Sequence, residues 1–135
     1  MRKSAFIALP LAALALTLSA CSGEDAATPD TTAAAVQPLD RTTEVTSGLP
    51  KNLAQAVTKV TETEPGRLEV ATTLVDPRGE DGSPEAAEAI KLCEAAMDVL
   101  QAEAIAKPYV SVLEKDGTTW VLAGHPTYGP DCTEV

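Results

Sequence analysis

The sequence predicts a small two-layer α+β domain in the order helix, strand, helix, strand, strand, with a three-stranded mixed sheet against one long helix. Three patterns carry that expectation. Ala86, Ile90, Cys93, Met97, Leu100 and Ala104 recur at spacings of four and three, which is one apolar helix face. Leu68, Val70, Thr72 and Leu74 alternate with Glu69, Ala71, Thr73 and Val75, the period of a strand. Asp116-Gly117 divides two further alternating runs and is a strong short-range hairpin signal.

Ahead of the domain, Met1-Arg2-Lys3 is a short basic head. The apolar run from Ala5 to Leu18 suits the hydrophobic region of a secretory signal and falls short of the about 20 residues that a membrane span needs. It closes on Leu18-Ser19-Ala20-Cys21. This pattern resembles the lipobox of bacterial lipoproteins. The resemblance implies that residues 1–20 are a cleaved signal peptide, that the Cys21 sulfur carries a diacylglyceryl group, and that the new amine can be acylated in turn. The alternative is an ordinary secretory signal cut after Ala20. Two or three acyl chains, at roughly 0.8 kcal/mol per buried methylene, anchor a protein stably where one chain does not. The expected partner is therefore a lipid bilayer reached through acylated Cys21, and the expected location is the extracytoplasmic face of the cell membrane. The Ala, Thr and Pro-rich style of the chain is similar to that of small actinobacterial lipoproteins.

Residues 21–46 read as a tether, rich in Ala, Thr, Pro and Asp, without periodicity and with few large apolar residues. About 25 residues of flexible coil reach roughly 25 to 30 Å. The formal net charge is −10, and loss of Arg2 and Lys3 with the signal leaves 8 basic against 20 acidic residues, a mature charge of −12. Such a surface disfavours nucleic acid and anionic head groups, and suits solubility or a cationic partner.

The folded domain is expected over residues 47–135. Leu49, Leu53, Val57 and Val60 predict a first helix over 50–61, stopped by Glu64-Pro65-Gly66. Residues 67–75 form the first strand. Ser83 and Pro84 then mark a helix start as N-cap and first helical residue, with Glu85 and Glu88 near the positive end of the dipole. This long helix should run to about Ala106, before Pro108 ends it. The strands Tyr109–Lys115 and Thr118–Ala123 should pair through a two-residue type I′ turn, placing Leu113 opposite Trp120. Both hairpin faces are apolar, so the long helix should cover one, and the first helix or a partner the other. The crossover should make the first two strands parallel and the third antiparallel. The tail from Gly124 to Val135, with Pro126, Gly129 and Pro130, reads as a loop. Val110-x-Val112, Asp116-Gly117 and Val121-Leu122-Ala123-Gly124 look like the hairpin of the BON domain, an envelope module linked to phospholipid binding. The match spans about 15 residues and lacks the helix and strand that follow in that family, so the folded domain is assigned to no family.

With Cys21 lipidated in an oxidising compartment, the two remaining cysteines, Cys93 and Cys132, should form a disulfide. Little in the sequence points to catalysis. His125 is the single histidine, and no Gly-x-Ser-x-Gly occurs to place a nucleophile. Asp76, Glu80 and Asp81 do not match the spacing of an EF-hand, so no metal or other cofactor is expected. Tyr109, Trp120, His125 and Tyr128 are the candidate ligand-binding residues, as an aromatic-edged patch near the end of the sheet. The expected function is a membrane-anchored binding or protein-interaction module of the cell envelope, with an envelope protein as partner. A small-ligand or metal-ion carrier is the alternative, and an enzyme ranks third.

Overall fold

The computed structural model of the chain describes residues 37–79 and 82–135. The expected signal peptide, the expected lipobox with Cys21, the expected tether as far as Val36, and Glu80 and Asp81 of the acidic loop lie outside the described residues. The elements in chain order are β1 (Leu39–Asp40), α1 (Thr42–Thr46), α2 (Lys51–Ala56), β2 (Val57–Glu64), β3 (Arg67–Thr72), α3 (Pro84–Ala102), β4 (Tyr109–Leu113), β5 (Thr119–Ala123) and β6 (Thr133–Glu134). The strands form one sheet in the order β1-β2-β3-β4-β5-β6. Only β3 and β4 are parallel, joined across α3, and the other neighbours are antiparallel.

The α+β class stands, but the expected three-stranded sheet does not: the sheet has six strands, and the helices among the described residues number three. Three misread stretches account for the difference. The helix expected over 50–61 is a six-residue helix followed at once by β2. Val57, Thr58, Val60, Thr61 and Thr63 are all β-branched, and their stiff side chains fit a pleated strand better than a helix. Pro65-Gly66 therefore turns a hairpin between β2 and β3, with Gly66 at φ +79°. The stretch 39–46, read as the end of the tether, forms β1 and α1, and Val45 is buried. The tail read as a loop pairs Thr133 and Glu134 with β5.

Two smaller corrections concern turns. The α3 helix starts as expected, with Ser83 Oγ accepting from the Ala86 N–H at 3.0 Å, but stops at Ala102. Ala104 takes φ +57°, and the Ala104 and Ile105 N–H groups donate to Gln101 and Leu100 carbonyls. That is a Schellman ending with alanine at the position that glycine usually fills. In the β4–β5 hairpin, only Gly117 has positive φ, +88°, and the Gly117 N–H donates to the Glu114 carbonyl. This is a type I turn with a glycine bulge, not type I′. Leu113 consequently faces Thr119 instead of Trp120, with the register shifted between Val112 and Leu113.

One face of the sheet carries the core. Val60, Leu68, Val70, Val110, Val112, Val121 and Ala123 pack against Ala86, Ala89, Cys93, Ala96, Met97 and Leu100 of α3 and Val45 of α1. The alanines on α3 let the helix axis approach the sheet closely. Cys93, fully buried on this face, is joined to Cys132 with a Cα–Cα distance of 6.0 Å. Because α1 shares the cluster and α2 lies beside α3, the three helices gather on this face. The first helix does not cover the second face, where Tyr109, Ser111 and Leu113 are half-buried.

Candidate functional site

A small group of rings gathers at the end of the sheet where β4 begins. Tyr109 opens β4 opposite Arg67, and the Arg67 guanidinium lies 4.2 Å from the centre of the Tyr109 ring, a cation–π stack. His125 sits 6.4 Å from Tyr109 and 5.1 Å from Tyr128, centre to centre, with interplanar angles of 55° and 42°. A tight turn holds this arrangement. The Gly129 N–H donates to the His125 carbonyl at 2.9 Å, and the Thr127 N–H donates to His125 Nδ1 at 3.1 Å. In the neutral ring that second bond assigns the proton to Nε2.

Gly124 sets the turn against the sheet. At φ +72°, a Cβ there would meet the Pro108 carbonyl oxygen at 2.0 Å, so only glycine permits this approach. Next to the rings lies a cleft of about 380 Å³, lined by Met97, Lys107, Pro108, Gly124, His125 and Pro130 among others. Its floor is apolar, and Lys107 and His125 provide its polar side chains.

Three of the four expected patch residues thus come together: Tyr109, His125 and Tyr128. Trp120 does not. It is buried in the core cluster, and its Nε1–H donates to Glu134 Oε1 at 3.0 Å. Sequence alternation had placed it with Tyr109, whereas the shifted register turns it inward. Arg67 was missed as a member of the site. The parallel pairing that sets it beside Tyr109 joins residues 42 positions apart, which no local pattern shows.

No family model matches the chain, and no curated protein or solved structure matches it. The reading of the site therefore rests on its own chemistry. Among the described residues, no group of three or more His, Cys, Asp or Glu side chains is placed to hold a metal ion. No described helix is long and apolar enough to cross a membrane.

A second cluster was also missed, and its role is architectural. Arg41, only 6 % exposed, donates from Nε to Glu44 at 2.6 Å, from Nη1 to Glu62 at 2.6 Å, and from Nη2 to Glu103. The Glu103 bond above all, then those to Glu44 and Glu62, pushes the guanidinium pKa up. The Glu62 carboxyl is held below its ordinary value, first by the Gly66 N–H and then by Arg41. The backbone joins in: the Arg41 N–H donates to the Val60 carbonyl, and the Val60 N–H donates to Thr42 Oγ1. One side chain thus ties α1, β2 and the end of α3 together. The signal for it in the sequence was slight: Arg41 is the single cation between Lys3 and Lys51.

At the far end of β4, Glu114 does similar work. Only 5 % exposed, it accepts from the Asp76 N–H at 3.1 Å and from Arg78 Nη2 at 2.9 Å, which fastens the loop after β3 to the sheet. Neither carboxylate cluster is laid out for acid–base chemistry, since each buried acid is already satisfied by a cation and a backbone N–H.

Proposed function

We propose that the chain is an envelope lipoprotein: cleaved after Ala20, acylated on Cys21, and carrying its folded unit on a short tether as a binding module at the extracytoplasmic membrane face. The observation that carries this reading is the division of labour among three cysteines. Cys93 and Cys132 join within the folded unit, which leaves Cys21, in Leu18-Ser19-Ala20-Cys21, as the one thiol without a partner in the sequence. A structural disulfide belongs to an oxidising compartment, which supports export. The folded unit begins by Leu39, so the tether is shorter than composition suggested. A flexible coil of that length would reach about 20 to 25 Å and would keep the unit close to the bilayer.

Metabolic labelling with an alkyne fatty acid tests the anchor. The wild-type chain should take up label and sediment with membranes, and Cys21→Ala should lose both properties. Equal sedimentation of the two proteins would overturn the reading. In-cell cross-linking of the wild-type chain beside Cys21→Ala tests the interaction arm. It should yield a dominant envelope partner that is lost with the anchor.

A further inference from the structure

We propose that Arg67, Tyr109, His125 and Tyr128 form a binding site for a sugar that carries an anionic group, an assignment that rests on the reading of the domain as a binding module. Aromatic residues are 3 % of the chain, with two tyrosines and one histidine in all. All three rings meet at this one place, from strand β4 and a turn some 15 residues further on. Packing does not require it: Tyr128 is 47 % exposed and lies outside the core. A glycine that no other residue can replace holds the turn where the rings meet.

The charge points to an anion. The chain is strongly acidic overall, yet Arg67 lies over one of these rings and Lys107 lines the cleft that His125 shares. A guanidinium held over a ring, as Arg67 is over Tyr109, keeps N–H donors that can bind a phosphate or carboxylate. Glu64, 3.5 Å from Arg67, is a weak competitor, because both side chains are well exposed and water screens the pair.

The ring geometry selects the rest of the ligand. A flat nucleobase is gripped between parallel faces, and here neighbouring rings are tilted by 55° and 42°. Tilted rings suit a sugar chair, whose C–H edge lies against one aromatic face while its hydroxyls reach polar groups at the side. The His125 ring nitrogen left free of the turn, Nε2, is a polar group of that kind. The neighbouring cleft with its apolar floor and Lys107 gives room for a substituent.

The test is calorimetric titration of the full chain in detergent with glucose phosphate, glucuronate, glucose, inorganic phosphate and adenosine monophosphate. The two anionic sugars should bind about tenfold more tightly than glucose or phosphate, and Arg67→Ala or Tyr128→Ala should each remove about that factor. Equal binding of glucose and glucose phosphate, equal binding of bare phosphate, or tighter binding of the nucleotide would overturn the proposal. So would an unchanged affinity in Tyr128→Ala, a surface substitution that the fold tolerates. Sedimentation with isolated cell-wall glycan, blocked by glucose phosphate, would assign a polymer-borne sugar. Binding of the free anionic sugars without sedimentation would assign a soluble one, and both results uphold the site.

Discussion

The segments α2–β2–β3 and α3–β4–β5 both run helix then hairpin, yet they are held together by different forces. The α3 helix spans 19 residues and buries seven side chains, while α2 spans six and buries Leu53 alone. A helix with one buried residue cannot cover a hairpin. The first segment therefore borrows Val45 from α1 and is closed by the Arg41 cluster. The second relies mainly on an apolar face and the Cys93–Cys132 bond, with a single buried carboxylate, Glu114, held by Arg78 and the Asp76 N–H beside its turn. In an alanine-rich, aromatic-poor chain, apolar cover is scarce, and buried charge and covalent bonding stand in where it runs out.

The contrast can be broken from either side. Removing the disulfide with Cys93→Ser should cost about 4 kcal/mol, from the closure entropy of a 39-residue separation. Hydrogen exchange should rise first in the tail and in β5–β6, with β1 and α1 keeping their protection. Arg41→Ala should cost about 3 kcal/mol, because it leaves the largely buried Glu62 without its cation. Here the loss of protection should begin in β1, α1 and β2. If both variants loosen the same amides, the two segments are not held independently.

Acid should loosen the first segment through Glu62. Glu62 has a lowered pKa in the fold, so its contribution is present above the ordinary glutamate value of about 4.3 and is lost as pH falls through the folded value. Stability should therefore decline below about pH 4, and in Arg41→Ala the decline should be shallower. Denaturant midpoints measured across this range will read the difference. The smallest effect should come from Ala104→Gly, which relieves a left-handed alanine at the end of α3 and should add about 1 kcal/mol.

Local signals were legible in the sequence to the extent that one residue type sufficed to read them. Ser83 and Pro84 announced the start of α3, the alternation around Val70 announced β3, and the two cysteines left once Cys21 was set aside announced their pairing. What failed was whatever depends on a distant partner. Val57 and Val60 fit both a helical and an extended pattern, and only pairing with β3 selects the strand. Leu39 to Thr46 looked like spacer because its one buried apolar residue, Val45, and its one cation, Arg41, gain their roles from β2 and α3. The candidate site shows the same division. His125 and Tyr128 lie in one turn and were visible together, whereas Arg67 reaches Tyr109 across a parallel pair, and a register shift withdrew Trp120.

The central claim is that one cysteine serves the membrane and two serve the fold. Intact-mass spectrometry of the native protein, after alkylation with and without reduction, tests it directly. The account predicts a chain that begins at Cys21, carries acyl chains, and takes up alkylating reagent at Cys93 and Cys132 only after reduction. An unacylated chain whose Cys21 is alkylated without reduction would contradict the anchor, and alkylation of Cys93 without reduction would contradict the fold.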